Sequence, residues 1–295
     1  MGCLLAARLA RGGAARVTVA GAWALGLETI ARRGIAVLDE TGRWSARVAT
    51  APLSDPGRAR FVLVLVKSAR TAAVAQTAAR ALDPGGMIVS LQNGLGNREI
   101  LAGAAGDERV TVGVATLGAT LLAPGRVRAF PGRIVVGASA ADRVSELVEA
   151  FAAAGIVAET SGDIDRLVWR KLAVSCAVNP ASALLGLTNG ALLTSAEGRA
   201  RMAAAAREVG AVAVARGIDL EGDPAELAFA VARTTAGNRS SMLQDLDRGS
   251  VTEIDAMCGA VVAEGRRAGV PTPVNDGLWR AVREREGRPL AATVA

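Results

Sequence analysis

Hydrophobic positions fall into two regimes that change near residue 163. Before it, β-branched apolar runs at 16–20 (RVTVA), 61–66 (FVLVLV), 87–91 (MIVSL), 110–116, 133–137 and 156–160 alternate with helical stretches at 3–11 (CLLAARLAR), 70–82, 97–104 and 141–154. Continuous apolar strands separated by helices predict a parallel sheet covered on both faces. After it, 164–178, 191–216, 223–247, 251–268 and 274–286 carry helical periodicity, with loops at Asn189-Gly190, Gly217 and Gly249. The chain of 295 residues is long enough for two cores. The pattern therefore predicts an α/β domain over 1–162 and an all-α domain over 163–295.

A sheet of that kind is doubly wound, the Rossmann-type nucleotide-binding architecture. Such a domain opens with a strand, then G-x-G-x-x-G, then a helix whose N-terminus holds a pyrophosphate. Here a helix comes first, and Gly2 alone can be the last glycine of that fingerprint. The expected sheet is thus N-terminally incomplete, with the neighbours of its central strand facing a gap. The expectation is that the natural start lies upstream of Met1, with Met1 the variable residue before the third glycine.

Composition narrows the chemistry. The chain has no His and no Tyr, which removes Ser-His-Asp triads, HExxH zinc sites and the histidine or tyrosine acids of many dehydrogenases. Of 34 basic residues only Lys67 and Lys171 are lysines; the other 32 are arginines, which stay protonated at any working pH. A cationic general acid must therefore be one of those two lysines, although an Arg-rich composition by itself reads as coding bias. The formal charge of +6 is spread without a block of like charges, and four Trp and four Phe are scattered, so nucleic acid is not the expected partner. Cys3, Cys176 and Cys258 are odd in number and lack CxxC spacing, which argues against a disulfide framework or a metal site and for a reducing cytoplasm. The longest aliphatic run, 61–66, is too short to span a membrane. Ala-rich helices in the second domain permit a homodimer.

Four segments carry the candidate chemistry. They are Val66-Lys67 and Gln92-Asn93-Gly94-Leu95-Gly96 after buried strands, then WRKLAV (169–174) with Asn179-Pro180 and Asn189-Gly190, then SSMLQD (240–245) with TEID (252–255). On a helix Lys171, Ser175 and Asn179 share one face, and the helix should bend or end before Pro180. Ser250 to Glu253 fits S-x-x-E, a capping box that competes evenly with a catalytic reading of Glu253. Lys67 and Asn93 end parallel strands, where open α/β sheets bind ligands. Asn93-Gly94, Asn179-Pro180, Asn189-Gly190 and Ser241 also read as turns or a helix-face serine.

In order and spacing these segments resemble the ketopantoate reductase (2-dehydropantoate 2-reductase) family across nearly the whole chain. The resemblance implies reduction of 2-dehydropantoate to pantoate, on the way to pantothenate and coenzyme A, with NADPH as hydride donor and NADH as the alternative. It implies Lys171 as the acid that protonates the ketone oxygen and Glu253 as its assistant. It also implies Asn179, Asn189 and Ser241 as contacts to the 2-keto acid substrate, and Gly2, Lys67, Asn93 and Gly94 as contacts to the cofactor, with Gly94 and Gly96 letting the backbone approach it. No metal is implied. Two departures matter: the family often has Asn where this chain has Ser175, and Gly21 and Ala22 occupy the turn that normally selects the cofactor, with Arg32 and Arg33 further on reading equally as a helix cap. The alternatives are a reductase of another branched 2-keto acid and a non-catalytic paralogue that has lost cofactor binding.

Overall fold

A computed structural model describes residues 1–13, 15–138 and 141–288, without the side chains of residues 141 and 142. The last seven residues of the predicted second domain lie outside the described residues. The chain divides into two compact units: Met1–Val66, Arg70–Gln92 and Asn97–Ile164 form one, and Lys67–Ala69, Asn93–Gly96 and Asp165–Ala295 the other. Two short loops of the α/β half thus belong with the helical unit, which a boundary drawn in chain order does not express.

The first unit runs α1 (Gly2–Arg11), β1 (Thr18–Gly21), α2 (Ala24–Arg33), β2 (Ile35–Asp39), β3 (Gly42–Ala46), β4 (Ala49–Pro52), β5 (Ala59–Val64), α3 (Thr71–Arg80), β6 (Leu82–Ser90), α4 (Asn97–Ala105), β7 (Val110–Ala115), β8 (Gly118–Ala123), β9 (Arg126–Phe130), β10 (Arg133–Gly137), α5 (Ala141–Ala153) and β11 (Val157–Ser161). Five strands form one sheet in the order β11-β10-β7-β6-β5. The pairs β5/β6, β6/β7 and β10/β11 are parallel, as continuous apolar runs require, and Met87, Ile88 and Val89 are fully buried between helices. The pair β7/β10 is antiparallel, which corrects the wholly parallel expectation. No helix lies between β7 and β10, so the chain returns through the β8/β9 hairpin, and parallel pairing needs a crossover.

That hairpin joins β2 and β3 in a four-stranded sheet ordered β3-β2-β9-β8, and β1 pairs in parallel with β4. Of these strands only β1 is expected from the pattern, by the run at 16–20; β9 was not predicted, although it alternates strictly, with Val127 and Ala129 buried and Arg126, Arg128 and Phe130 exposed. Among the described residues β5 pairs only with β6, and β1 only with β4. Leu4, Leu5 and Ala7 of α1 pack in the core that also holds Met87, Val89 and Ile134.

The second unit contains α6 (Ile164–Leu185), α7 (Asn189–Thr194), α8 (Ala196–Ala215), α9 (Pro224–Thr234), α10 (Ser241–Asp247), a π-helical turn (Asp255–Gly259), α11 (Ala260–Ala268) and α12 (Pro273–Arg285). Helix α6 does not end before Pro180; it continues for five residues beyond it. Pro180 removes one backbone donor, but Cys176, Ala177, Val178, Ala181 and Ala183 are buried on all sides, and their packing outweighs that loss. Asn189-Gly190 is not a loop but the first turn of α7, capped by the Thr188 hydroxyl, which accepts from the Ala191 amide. Helix α12 lacks a side-chain cap of its own. The Glu208 carboxylate of α8 replaces it, accepting from the Val274 and Asn275 amides at 2.8 Å each.

Candidate active site

The site is built where three short segments of the helical unit meet. Lys67-Ser68 follows β5, Asn93-Gly94 follows β6, and Glu253 precedes the π-helical turn. The segments are locked by backbone: the Leu95 amide donates to the Ala256 carbonyl at 2.8 Å. Gly94 has φ +81°, and a Cβ there would overlap that same carbonyl oxygen. The close approach that makes Gly94 necessary is therefore to the Glu253 segment.

Glu253 does not form the predicted capping box. The Ser250 amide donates instead to the Asp245 carbonyl at 2.8 Å, and no helix begins until residue 255. The Thr252 hydroxyl accepts from the Ile254 amide at 3.2 Å. The Glu253 carboxylate is freed to face the other way and is almost fully buried. It accepts from the Ser68 amide at 3.2 Å and from Asn93 Nδ2 at 2.9 Å, and the Ser68 hydroxyl, 3.2 Å away, has its one proton also in reach of the Asn93 carbonyl at 2.8 Å. Lys67 Nζ stands 3.9 Å from Glu253 Oε2 and 2.5 Å from Asp245 Oδ2.

Lys171 lies on α6 and makes no hydrogen bond or ion pair with the described residues. Protein atoms crowd its ammonium, and desolvation lowers its pKa from the ordinary lysine value to about 8, against the opposing charge of Glu253. Burial likewise raises the Asp245 carboxyl above the usual carboxylate range; Lys67 works against that rise and Glu253 adds to it.

The other predicted residues are less tightly joined. Asn179 Nδ2 donates to Met257 Sδ at 3.7 Å, and the Asn179 carbonyl accepts from the Ser240 hydroxyl at 3.4 Å. Asn189 Nδ2 donates to Thr235 Oγ1 at 2.9 Å, while its Oδ1 is buried without a partner among the described residues. Ser241 is exposed and makes no side-chain hydrogen bond with them; the working serine of that pair is Ser240, whose hydroxyl caps α10. Ser175 is partly exposed on the Lys171 face. Gly2 lies in the other unit, as the first residue of α1. Arg32 and Arg33 stand in the last turn of α2, as a helix cap would.

Sequence reasoning missed Ser68 and Asp245. Ser68 stands next to the lysine that was noticed, and Asp245 closes SSMLQD, where an acid at a helix end looks like solvated surface. Only the fold brings them against Glu253 and Lys67. The three cysteines are free, and among the described residues no group of side chains could hold a metal and no helix is long and apolar enough to cross a membrane.

An α/β unit with parallel strands, followed by a helical unit carrying a half-buried lysine and a buried carboxylate, defines a class of two-part nucleotide-dependent enzymes. Residues 1–141 match the family described as Ketopantoate reductase PanE/ApbA, and residues 163–286 match Ketopantoate reductase PanE/ApbA C terminal. The chain is 36% identical over 296 residues to the 2-dehydropantoate 2-reductase of Halobacterium salinarum, covering 97% of both chains. It is similar to the crystal structure of a PanE/ApbA family ketopantoate reductase from Ralstonia eutropha, with 32% identity, a TM-score of 0.85 and coverage of 95% of this chain and 93% of that one. A ternary structure of D-mandelate dehydrogenase shares the fold, with a TM-score of 0.89 at 22% identity over 95% of this chain and 93% of that one. The chain belongs to the ketopantoate reductase family.

Proposed function

We propose that the chain reduces 2-dehydropantoate to pantoate, with NADPH as the hydride donor. The observation that carries this reading is Lys171, one of two lysines in the chain, held without an ion-pair partner among the described residues at a pKa of about 8. A group with a pKa near the working pH can both give and regain a proton. The name of the Halobacterium salinarum relative supplies the substrate.

The residues present fit a dinucleotide. The first turn of α1 has no side-chain cap and no acidic residue to compete with a phosphate, and at Gly2 only Leu65 Cδ1 comes within 4 Å of where a Cβ would stand. Gly2 is the residue we assign to the pyrophosphate; Lys67, Asn93 and Gly94 are those we assign to the nicotinamide end. A bound nicotinamide supplies the hydride. NADPH rather than NADH rests on the family resemblance, and comparing kcat/KM for the two tests it.

In this mechanism the Lys171 ammonium polarises the ketone oxygen. As hydride reaches carbon, the C=O π pair becomes an alkoxide pair that takes a proton from Lys171 Nζ. The resulting amine is reprotonated from solvent. Glu253, fixed by Ser68 and Asn93, favours the ammonium form before each turnover. Asn179, Asn189 and Ser241 are assigned to the substrate, and the unpartnered Asn189 Oδ1 suits a hydroxyl donor. The free cysteines suit a cytoplasmic site of action.

The test follows NADPH oxidation on adding 2-dehydropantoate, for the wild type and Lys171→Ala. Severe loss of kcat with little change in cofactor affinity is expected; wild-type turnover in the variant overturns the role. Ser175, shorter than the Asn often found there, favours a second reading, a reductase of another branched 2-keto acid, and kcat/KM across a panel separates the two. Absence of NADPH binding in a fluorescence titration would instead favour a non-catalytic paralogue.

A further inference from the structure

Lys67 forms ion pairs with two carboxylates and hydrogen-bonds only one. Its ammonium is 2.5 Å from Asp245 and 3.9 Å from Glu253. Glu253 does not need it in hydrogen-bonding contact, because the Ser68 amide and Asn93 Nδ2 already supply neutral donors. Asp245 does. It is buried in the last turn of α10, where the helix dipole disfavours a negative charge. A buried acid in that position is a poor choice for stability alone. The charges facing it are Lys67, Glu253 and Arg248; the charge facing Lys171 is Glu253.

We propose that Asp245 is a positioning residue that keeps the Lys67 ammonium from closing its 3.9 Å ion pair with Glu253 into a hydrogen bond, so that more of the charge of Glu253 stays available to Lys171. Without Asp245, Lys67 loses its contact partner and closes on Glu253, the other buried carboxylate within reach. The ammonium then neutralises the charge that sustains the protonated form of Lys171. The inference rests on the proton-donor role proposed above for Lys171.

Because the chain has two lysines, [13C]lysine-labelled protein gives two side-chain ε-carbon signals in NMR, and Lys67→Met assigns them. In Asp245→Asn the Lys171 midpoint should move down from about 8 by about one pH unit, the size expected for losing one close opposite charge. The alkaline limb of kcat/KM should move with it. In the Lys67→Met background the same Asp245→Asn change should move the midpoint by less than about a third as much, since the ammonium that would migrate is gone. Asp245→Ser serves the same comparison if the Asn variant does not fold. An unmoved midpoint overturns the proposal, as does an equal shift with and without Lys67, which would make Asp245 act on Lys171 directly. A drop in melting temperature with the midpoint unmoved marks a structural role only. The midpoint is measured without substrate, so an inactive wild type would count against the proposed reaction and leave this test intact.

Discussion

Gly94→Ala tests whether the loop after β6 is held by its contact with the Glu253 segment. The residue has φ +81°, a left-handed conformation that costs an alanine about 1–2 kcal/mol. The new methyl would also overlap the Ala256 carbonyl oxygen, which is backbone and cannot rotate away. Relief requires the two segments to part, and the hydrogen bond from the Leu95 amide to that carbonyl, about 1 kcal/mol, goes with it. The total is about 2–3 kcal/mol, or a fall in melting temperature of about 5–10 °C for a unit of this size. Gly96→Ala is the control: its φ is +86°, but nothing lies within 4 Å of the added methyl, so only the backbone term applies. Since Asn93 is displaced from Glu253 only in the first variant, kcat/KM should fall about 100-fold in Gly94→Ala and less than about 10-fold in Gly96→Ala. Thermal denaturation and steady-state kinetics on both variants measure this. Equal losses would refute the argument that the carbonyl contact, rather than the turn conformation, makes glycine necessary.

Other outcomes follow from the same geometry. Reductive kcat/KM should decline as pH rises through about 8, because the acid form of Lys171 is lost there; a pH profile flat to 9.5, about 1.5 units above that value, contradicts proton donation by this lysine. Burial works to raise the Asp255 carboxyl, but hydrogen bonds from Trp279 and Arg283 and the charges of Arg283 and Arg288 outweigh it and hold the pKa below the usual range. A depressed folded-state pKa contributes stability above the unfolded value and loses it as pH falls through the folded one. Asp255→Asn should therefore lower the melting temperature at pH 7 and flatten its decline between about pH 4 and pH 2; parallel acid profiles would exclude the linkage. Ser175→Asn restores the longer polar reach on the Lys171 face and should shift relative kcat/KM within a panel of branched 2-keto acids; an unchanged ranking removes Ser175 from substrate selection.

The parallel strands 61–66 and 87–91 were legible because a strand buried on both faces must be apolar throughout. Strands β2, β3, β8 and β9 were not read, since a short half-exposed strand with charged alternate residues resembles a loop until its partner is known. The extension of α6 past Pro180 could not be read locally, because the packing that sustains it comes from helices distant in sequence.

The site divides in the same way. Absence of His and Tyr and the count of two lysines narrowed a cationic proton donor to two candidates from composition alone, since no other side chain here combines a cationic acid form with an accessible neutral one. The S-x-x-E pattern left Glu253 with two readings of equal standing. Tertiary structure decided between them, because the Ser68 and Asn93 donors, about 160 to 185 residues away, offer the carboxylate a buried site that the Ser250 amide, already spent on Asp245, cannot. The distances from Lys67 to Asp245 and Glu253 likewise exist only in the fold. Sequence specifies which charged groups are available; which pair with which depends on distance and desolvation, and both are properties of the packed chain.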